Sequence, residues 1–442
     1  MPAQAPSSRT VIIGGGLAGI AAALHAQRPH VLVERTRSLG GLARTEERDG
    51  FFFDHTGHWL HLRDAYIREL VTSKMGNDLV EVERRAQIFS HGVLTQYPFQ
   101  GNLFGLPPDV VHECLVGIVN AHMGRDAAGE PRNFEQYVEH HFGVGIAKHF
   151  MVPYNRKLWG VEPSEITSAW CSRFVPKPNL EQVIAGAVGA GSAQLGYNVR
   201  FMYPKHGGIG AMSRAISADI DPDHTRLGLA VDQIDPRART VRAGDESWRY
   251  HAVISSVPLP KLVEMIVGAP DEVREAASKL RATAVRYLNV ATNKPARADY
   301  HWVYVPEEKY PFYRVGVFSN AMPSMAPPGC SSLYVELSDR SPIDDREALK
   351  RDAIRALVEI KAINSSEDVV FADLRRIDPA YVIFDEAYES ALEVIHPYLE
   401  SQRIYSTGRY GAWIYNAMED SLLAGKAAIE TVESLPADEN AA

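Results

Sequence analysis

Three stretches hold the groups that could do chemistry. The first is Gly14-Gly15-Gly16-Leu17-Ala18-Gly19, which follows the apolar run Thr10 to Ile13 and opens an alanine-rich helix. In a strand, glycine turn and helix, Gly14 permits the tight turn, Gly16 lets backbone N–H groups approach a pyrophosphate, and Gly19 lets helix and strand pack closely. Glu34 ends the next apolar run, Val31-Leu32-Val33, at the distance where such a unit binds a ribose hydroxyl. The chemistry is dinucleotide binding. The second stretch carries Arg314 inside the otherwise apolar run from Phe312 to Phe318. A guanidinium on a buried strand needs a partner, and a ligand phosphate would be one. The third is the loop holding His55, His58 and His61, whose spacing could mimic a metal cluster. No Cys or acid set accompanies it, so no metal is expected there.

A second glycine pair narrows the cofactor. Gly40-Gly41-Leu42-Ala43-Arg44-Thr45 lies just past the ribose acid. A plain NAD unit does not require it, whereas it resembles the extended FAD site of flavoproteins. FAD is therefore the expected cofactor, with Glu34, Arg35, Gly41, Leu42 and Arg44 joining the three motif glycines as its contacts.

Around these stretches the composition is that of an ordinary globular protein. The 442 residues are 45% hydrophobic and 23% charged, enough to bury a large core in two or three units. A net charge of −9 argues against nonspecific binding to nucleic acid or to anionic membranes, so any anionic substrate must be met by a local arginine cluster. Cys114, Cys171 and Cys330 are scattered, without C-x-x-C spacing, and read as buried thiols. The N-terminus has no hydrophobic signal region and no apolar run is long enough to cross a bilayer, so a cytoplasmic protein is expected.

The positioning elements follow from periodicity. Phe51 to Asp54 reads as a buried strand feeding the histidine loop, residues 64–76 as a helix, and Glu81 to Tyr97 as a hairpin around His91-Gly92. From Pro107 to about Ala190 the pattern is helical. Strands return at 200–203 and 228–257, and from 284 to 340 they carry aromatics in bulk, as an antiparallel sheet lining a ligand cavity would. A helix follows at 344–361, and the chain closes with strand, glycine turn and helix, Ile404 to Ser434. The expected fold is α/β: a Rossmann-like FAD-binding domain with a helical insertion and an antiparallel β-sheet domain. The segments are 1–100, 201–260 and 391–442 for the cofactor domain, 101–200 for the insertion and 261–390 for the substrate sheet.

Taken together, the motifs resemble those of the flavin-dependent UDP-galactopyranose mutases, within the wider amine oxidase and protoporphyrinogen oxidase group. Gly57-His58-Trp59-Leu60-His61 is similar to their flavin loop, and Tyr97-Pro98-Phe99-Gln100-x-Asn102 to another of their segments. Phe150-x-x-Pro153-Tyr154-Asn155-x-Lys157-x-Trp159 resembles the helix that holds their nucleotide base, and Trp170-x-x-Arg173 their first phosphate-binding arginine. Asn198, Pro204-x-x-Gly207-Gly208-x-Gly210 and Gly408-Arg409-x-Gly411-x-Trp413-x-Tyr415 extend the likeness, and its strongest match, Trp302-x-Tyr304 followed by Pro311-Phe312-Tyr313-Arg314 and Phe318-Ser319-Asn320, is closer to the eukaryotic branch than to the bacterial one. The segment between Tyr415 and the final helix is shorter than in that branch, and around Tyr381 little but the tyrosine is kept.

The resemblance implies an FAD enzyme active in its reduced form, primed by NAD(P)H or another reductant and acting on a UDP-sugar, with no nucleic-acid partner and no membrane span. Flavin N5 would attack the anomeric carbon, UDP would leave, and the sugar adduct would open and reclose as a furanose. His58 is expected beside the isoalloxazine, with Val231, Gly408, Arg409 and Asp420 as further cofactor contacts. Arg173 and Arg314 would clamp the diphosphate, and phenols at 304, 381 and 415 would share that load. Tyr154 and Trp159 would stack the uracil, with Phe99, Gln100, Phe150, Asn198 and Trp302 completing the pocket. Two other readings stand beside this one: a flavin oxidase, dehydrogenase or desaturase of the same cofactor fold, and a flavin-binding regulator without turnover.

Overall fold

The computed structural model describes residues 9–124, 129–168, 175, 177–190, 199–339 and 345–436. Trp170, Cys171, Arg173 and Asn198 lie outside the described residues.

The short β-branched runs at the start of the chain build a parallel sheet. Ile404–Ser406, Glu246–Ser255, Arg9–Ile13, His30–Glu34 and Thr225–Leu227 lie side by side, each pair parallel. The first half of Glu246–Ser255 also carries an antiparallel ribbon with Thr240–Ala243 and Gln233–Asp235. Side chains alternate across a strand, so Ile12, Leu32 and Ile254 face one side and Val11, Val31, Val33 and Val253 the other. Helices Leu17–His25 and Met418–Glu433 cover the first face. Leu259–Met265, Asp271–Lys279 and Tyr388–Ser401 cover the second. Both faces are thus buried, as the uninterrupted apolar strands require.

The second sheet runs Val369–Val382, Ala282–Thr292, Ser331–Ser338, Phe312–Val317, Trp302–Tyr304, Ala86–Ser90 and Val93–Gln96. Its pairs are antiparallel, except that Trp302–Tyr304 lies parallel to Ala86–Ser90. One face packs under helix Arg346–Glu359 through Val303, Val315, Val335 and Leu357. The other face therefore presents the alternate residues, Tyr304, Arg314 and Glu336, which the register sets directly opposite one another on three neighbouring strands. That row faces the helical insertion, built from Pro108–Gly124, Phe134–Ile146, Val152–Trp159 and Leu180–Ala187 around its own core.

The segment boundaries differ from the sequence expectation at two places. The hairpin Ala86–Gln96 falls inside the expected 1–100 cofactor segment but completes the second sheet. The helices Leu259–Met265 and Asp271–Lys279 fall inside the expected 261–390 sheet segment but pack on the parallel sheet. The expected hairpin from Glu81 is also shorter, because Leu79–Glu83 pairs with Arg200–Pro204 instead. Local pattern gives an element's type; which core takes its apolar face is a long-range choice.

Candidate functional site: a flavin cradle and an aromatic cleft

The glycine loop forms a cradle at the end of the parallel sheet. At Gly19 a Cβ would lie 1.8 Å from the Gly14 carbonyl oxygen, so only glycine allows this helix to sit so close to its strand. At Gly16 a Cβ would meet only the Cα of Gly41, at 3.9 Å, which leaves the space above the loop to a ligand backbone. Glu34 is buried, accepts from the Gly15 amide at 2.7 Å and holds Thr36 through its other oxygen at 2.8 Å. Arg44 donates to the Gly41 carbonyl at 2.7 Å and to Thr36 and Ser38, and the Gly40 amide donates to the Gly15 carbonyl at 2.7 Å, tying the second glycine pair to the first. An open backbone channel beside a fixed carboxylate fits a dinucleotide pyrophosphate and ribose. Arg35 is exposed, Leu42 and Val231 are half-buried, and Asp420 caps the final helix by accepting from the Ala417 amide at 2.8 Å.

Next to the cradle, the histidine loop is fixed at its root by Asp54, which the sequence reading did not single out. This buried carboxylate accepts from Thr45 Oγ1 at 2.6 Å, Tyr203 Oη at 2.5 Å and the Ile209 amide at 3.1 Å. Burial raises its pKa to about 7. An acid ending an all-aromatic strand was the available signal. His55 pairs with the Tyr287 hydroxyl at 2.8 Å and His61 with the Arg200 carbonyl at 3.2 Å, so the three histidines do not converge. Among the described residues no group of three metal-ligating side chains is assembled. Burial pushes His58 down to about 4, and the charges of His55, Arg409 and Arg314 add to the effect. His58 is thus a neutral imidazole within electrostatic reach of Arg409 and Arg314.

The cleft has about 200 Å³ of free volume between the helical insertion and the second sheet. Gln100, Phe150, Tyr154 and Trp159 line it from one side, Tyr304, Arg314, Tyr381 and Tyr415 from the other. Phe150 and Tyr154 stack in parallel, ring centres 5.3 Å apart, and Phe99 continues the stack beneath Phe150 at 5.1 Å. Trp159 meets Tyr381 edge-on at 5.6 Å and donates its indole N–H to Asn155 at 3.1 Å. Tyr381 and Tyr415 stack at 6.1 Å, with the Arg409 guanidinium 4.5 Å from the Tyr415 ring centre. Tyr97 also lines the cleft, with the Arg84 guanidinium 5.1 Å from its ring centre, two contributors that the site assignment passed over.

Three expectations need correction. Arg314 was expected to need a partner, with a ligand phosphate as one candidate, and the neighbouring strand supplies one. Its Nε and Nη2 donate to the two carboxylate oxygens of Glu336 at 2.9 and 2.6 Å, and Nη2 also reaches Tyr381 Oη at 3.3 Å. Glu336 is fully buried, an acid on the inward face of an apolar strand, so this bidentate pair lowers the net charge Arg314 brings to the cleft. Trp302 stacks on Trp59 at 5.6 Å beside the flavin loop and is not part of the cleft lining. Phe99 is fully buried under Phe150 and supports the lining from behind. Among the described residues Arg409 is held by neutral partners, the carbonyls of Asn416 at 2.8 Å and Ala380 at 3.1 Å and the surrounding tyrosine rings, with no acid paired to it.

This architecture matches a known family. The model for flavin containing amine oxidoreductases matches residues 17–430. The chain belongs to that family. Among solved structures, a reduced UDP-galactopyranose mutase superposes with a TM-score of 0.92 at 29% identity, over 99% of this chain and 96% of that one. A protein from Exiguobacterium sp. 255-15 assigned as a protoporphyrinogen oxidase gives 0.75 at 17% identity, over 97% and 99% of the two chains. Cyclohexylamine oxidase from Brevibacterium oxydans IH-35A gives 0.66 at 16%, over 97% and 99%; at such identities the likeness concerns the fold. As a member of that family the chain is a flavin-dependent enzyme with FAD as cofactor, and the cradle fits that group. No helix among the described residues is long and apolar enough to cross a membrane.

Proposed function

We propose that this flavoenzyme is a mutase that interconverts the pyranose and furanose forms of a UDP-sugar. The observation that carries the reading is the cleft itself. Small-molecule clefts are lined mainly by apolar and aromatic groups whatever their reaction, so the few polar groups decide the class of ligand. Here phenols from Tyr304, Tyr381 and Tyr415 surround a guanidinium, opposite a parallel stack of rings suited to a flat base. The 29% identity to a reduced UDP-galactopyranose mutase, over nearly the whole of both chains, supports the same reading.

Bound and reduced, FAD would supply the nucleophile for the anomeric carbon; this chain's residues position, stabilise and exclude. Tyr154 and Trp159 hold the base, and the Tyr304–Arg314–Glu336 row sets the diphosphate in register with it. As the sugar–phosphate bond lengthens, charge grows on the departing UDP. Arg314 Nη1, the guanidinium nitrogen not engaged by Glu336, meets that charge together with the phenols, while Arg409 adds its field from behind Tyr415. Because UDP must return to the sugar, holding it matters as much as releasing it. Neutral His58 closes the cradle side without competing for protons, and the packed rings keep out water that would hydrolyse the open sugar. Arg173 is the second arginine of the clamp in this reading, and Gln100 and Asn198 complete the sugar and nucleotide contacts.

The test is chromatographic. Purified protein carrying FAD is incubated with UDP-galactofuranose in dithionite-reduced and oxidised forms, and UDP-galactopyranose is quantified. Conversion in the reduced form only is the expected result. Peroxide release with an amine substrate, and no UDP binding, would replace this reading with an oxidase.

A further inference from the structure

Lys157 is a buried amine with no acid in contact among the described residues. It is 5% exposed and sits on Val152–Trp159, the helix that brings Tyr154, Asn155, Leu158 and Trp159 to the cleft. Its Nζ donates to three backbone carbonyls, Val305 at 3.1 Å, Glu307 at 2.9 Å and Phe312 at 2.5 Å. An ammonium has three protons, and the three acceptors match them. Val305 and Glu307 lie in the loop between strands Trp302–Tyr304 and Phe312–Val317, and Phe312 is the first residue of the second strand. Tyr304 immediately precedes that loop, and Tyr313 and Arg314 are the second and third residues of the strand that follows it. The loop is closed at its base by the Val305 amide donating to the Tyr313 carbonyl at 2.8 Å.

We infer that Lys157 is a positioning residue: its ammonium ties the base-binding helix to the hairpin that carries Tyr304 and Arg314, and so sets the spacing between base and diphosphate contacts. A cleft that must hold both ends of one nucleotide needs its two walls fixed relative to each other. Tyr154 of the same helix meets Tyr304 and Tyr313 edge-on at 5.3 and 6.1 Å, a packing contact that Lys157 supplements with directed hydrogen bonds. Arg156, the neighbouring cation, pairs with Glu162 at 2.7 Å and with Glu308 at 3.2 Å, but Glu308 is largely exposed and the second contact is correspondingly weak. Burial draws the Lys157 amine down to about 7, with Glu307 and Glu308 opposing that shift, so desolvation is a standing cost that the carbonyl cage offsets. Replacing it by an apolar side chain of the same length would keep the packing, take this donor from the buried Val305 and Phe312 carbonyls, and leave Glu307 with the longer bond from the Tyr310 amide at 3.3 Å.

This inference rests on the nucleotide-sugar reading, and the experiment separates the two. Lys157→Met, Lys157→Arg and the parent protein, each with FAD bound, are compared by UDP titration and by hydrogen exchange at the Val305 amide. Lys157→Met is expected to retain FAD, to weaken UDP binding tenfold or more, and to speed exchange at Val305 at least tenfold. Lys157→Arg is expected to stay within about threefold of the parent in both. Fast exchange in Lys157→Met with unchanged UDP affinity would overturn the positioning role, as would unchanged exchange. If the parent itself does not bind UDP, the mutase reading fails, and the exchange data alone then decide whether Lys157 ties the two walls. A Lys157→Met protein too unstable to load FAD shifts the same comparison to Lys157→Gln.

Discussion

Glu336→Gln is the most informative single change, because it removes a charge that nothing else in the cleft replaces. Glu336 is fully buried and holds Arg314 through two bonds of 2.9 and 2.6 Å. Removing one partner of a buried ion pair costs about 3–5 kcal/mol, since the other charge stays behind without compensation. Glutamine keeps the shape and one acceptor, and the Arg314 side chain remains 20% exposed toward the cleft. The lower end, about 3 kcal/mol, is therefore expected. Urea unfolding of the FAD-loaded protein measures it. The double variant Arg314→Met with Glu336→Gln leaves no unpaired charge, so it should lose less than the two single changes summed. The freed guanidinium would also meet a phosphate without a competing carboxylate, so UDP should stabilise Glu336→Gln more than the parent. If Glu336→Gln unfolds within about 0.5 kcal/mol of the parent, or the two single changes simply add, the pair does not hold the row together.

Further expectations follow from the same geometry. Gly16→Ala adds a methyl group facing only Gly41 at 3.9 Å, so the fold should persist while FAD content falls on purification. Gly19→Ala, 1.8 Å from a carbonyl oxygen, should instead fail to give folded protein, which circular dichroism would report. Tyr381→Phe removes the phenol that accepts from Arg314 at 3.3 Å, and UDP affinity should drop roughly 2- to 10-fold by titration calorimetry. His58, His61 and His301 are each drawn by burial from 6.5 to about 4. The unfolded chain protonates them as pH falls through 6.5 and the folded chain only near 4, so stability present above pH 6.5 is lost progressively toward pH 4. Urea midpoints at pH 7 and pH 5 should differ in that direction, and His58→Phe should reduce the difference.

The cofactor cradle was legible in the sequence because its requirements are local. A glycine where a Cβ would strike a carbonyl 1.8 Å away, and a carboxylate at the end of the next strand, are fixed by a few residues of neighbouring chain. The aromatic cleft was legible in part: Tyr154, Trp159, Tyr304, Tyr381 and Tyr415 do meet in one cavity. What the sequence could not give was pairing across strands. Arg314 and Glu336 lie on separate strands and become opposite residues only through the sheet's register, which turns an apparently waiting cation into half of an ion pair. The same long-range choice moved Trp302 onto Trp59, gave the Ala86–Gln96 hairpin to the second sheet and placed Lys157 in a cage of carbonyls 148 to 155 residues away. Backbone conformation is decided by near neighbours, and so could be read from the chain; the partner of a buried charge is decided by which faces pack together, and only the tertiary structure sets that.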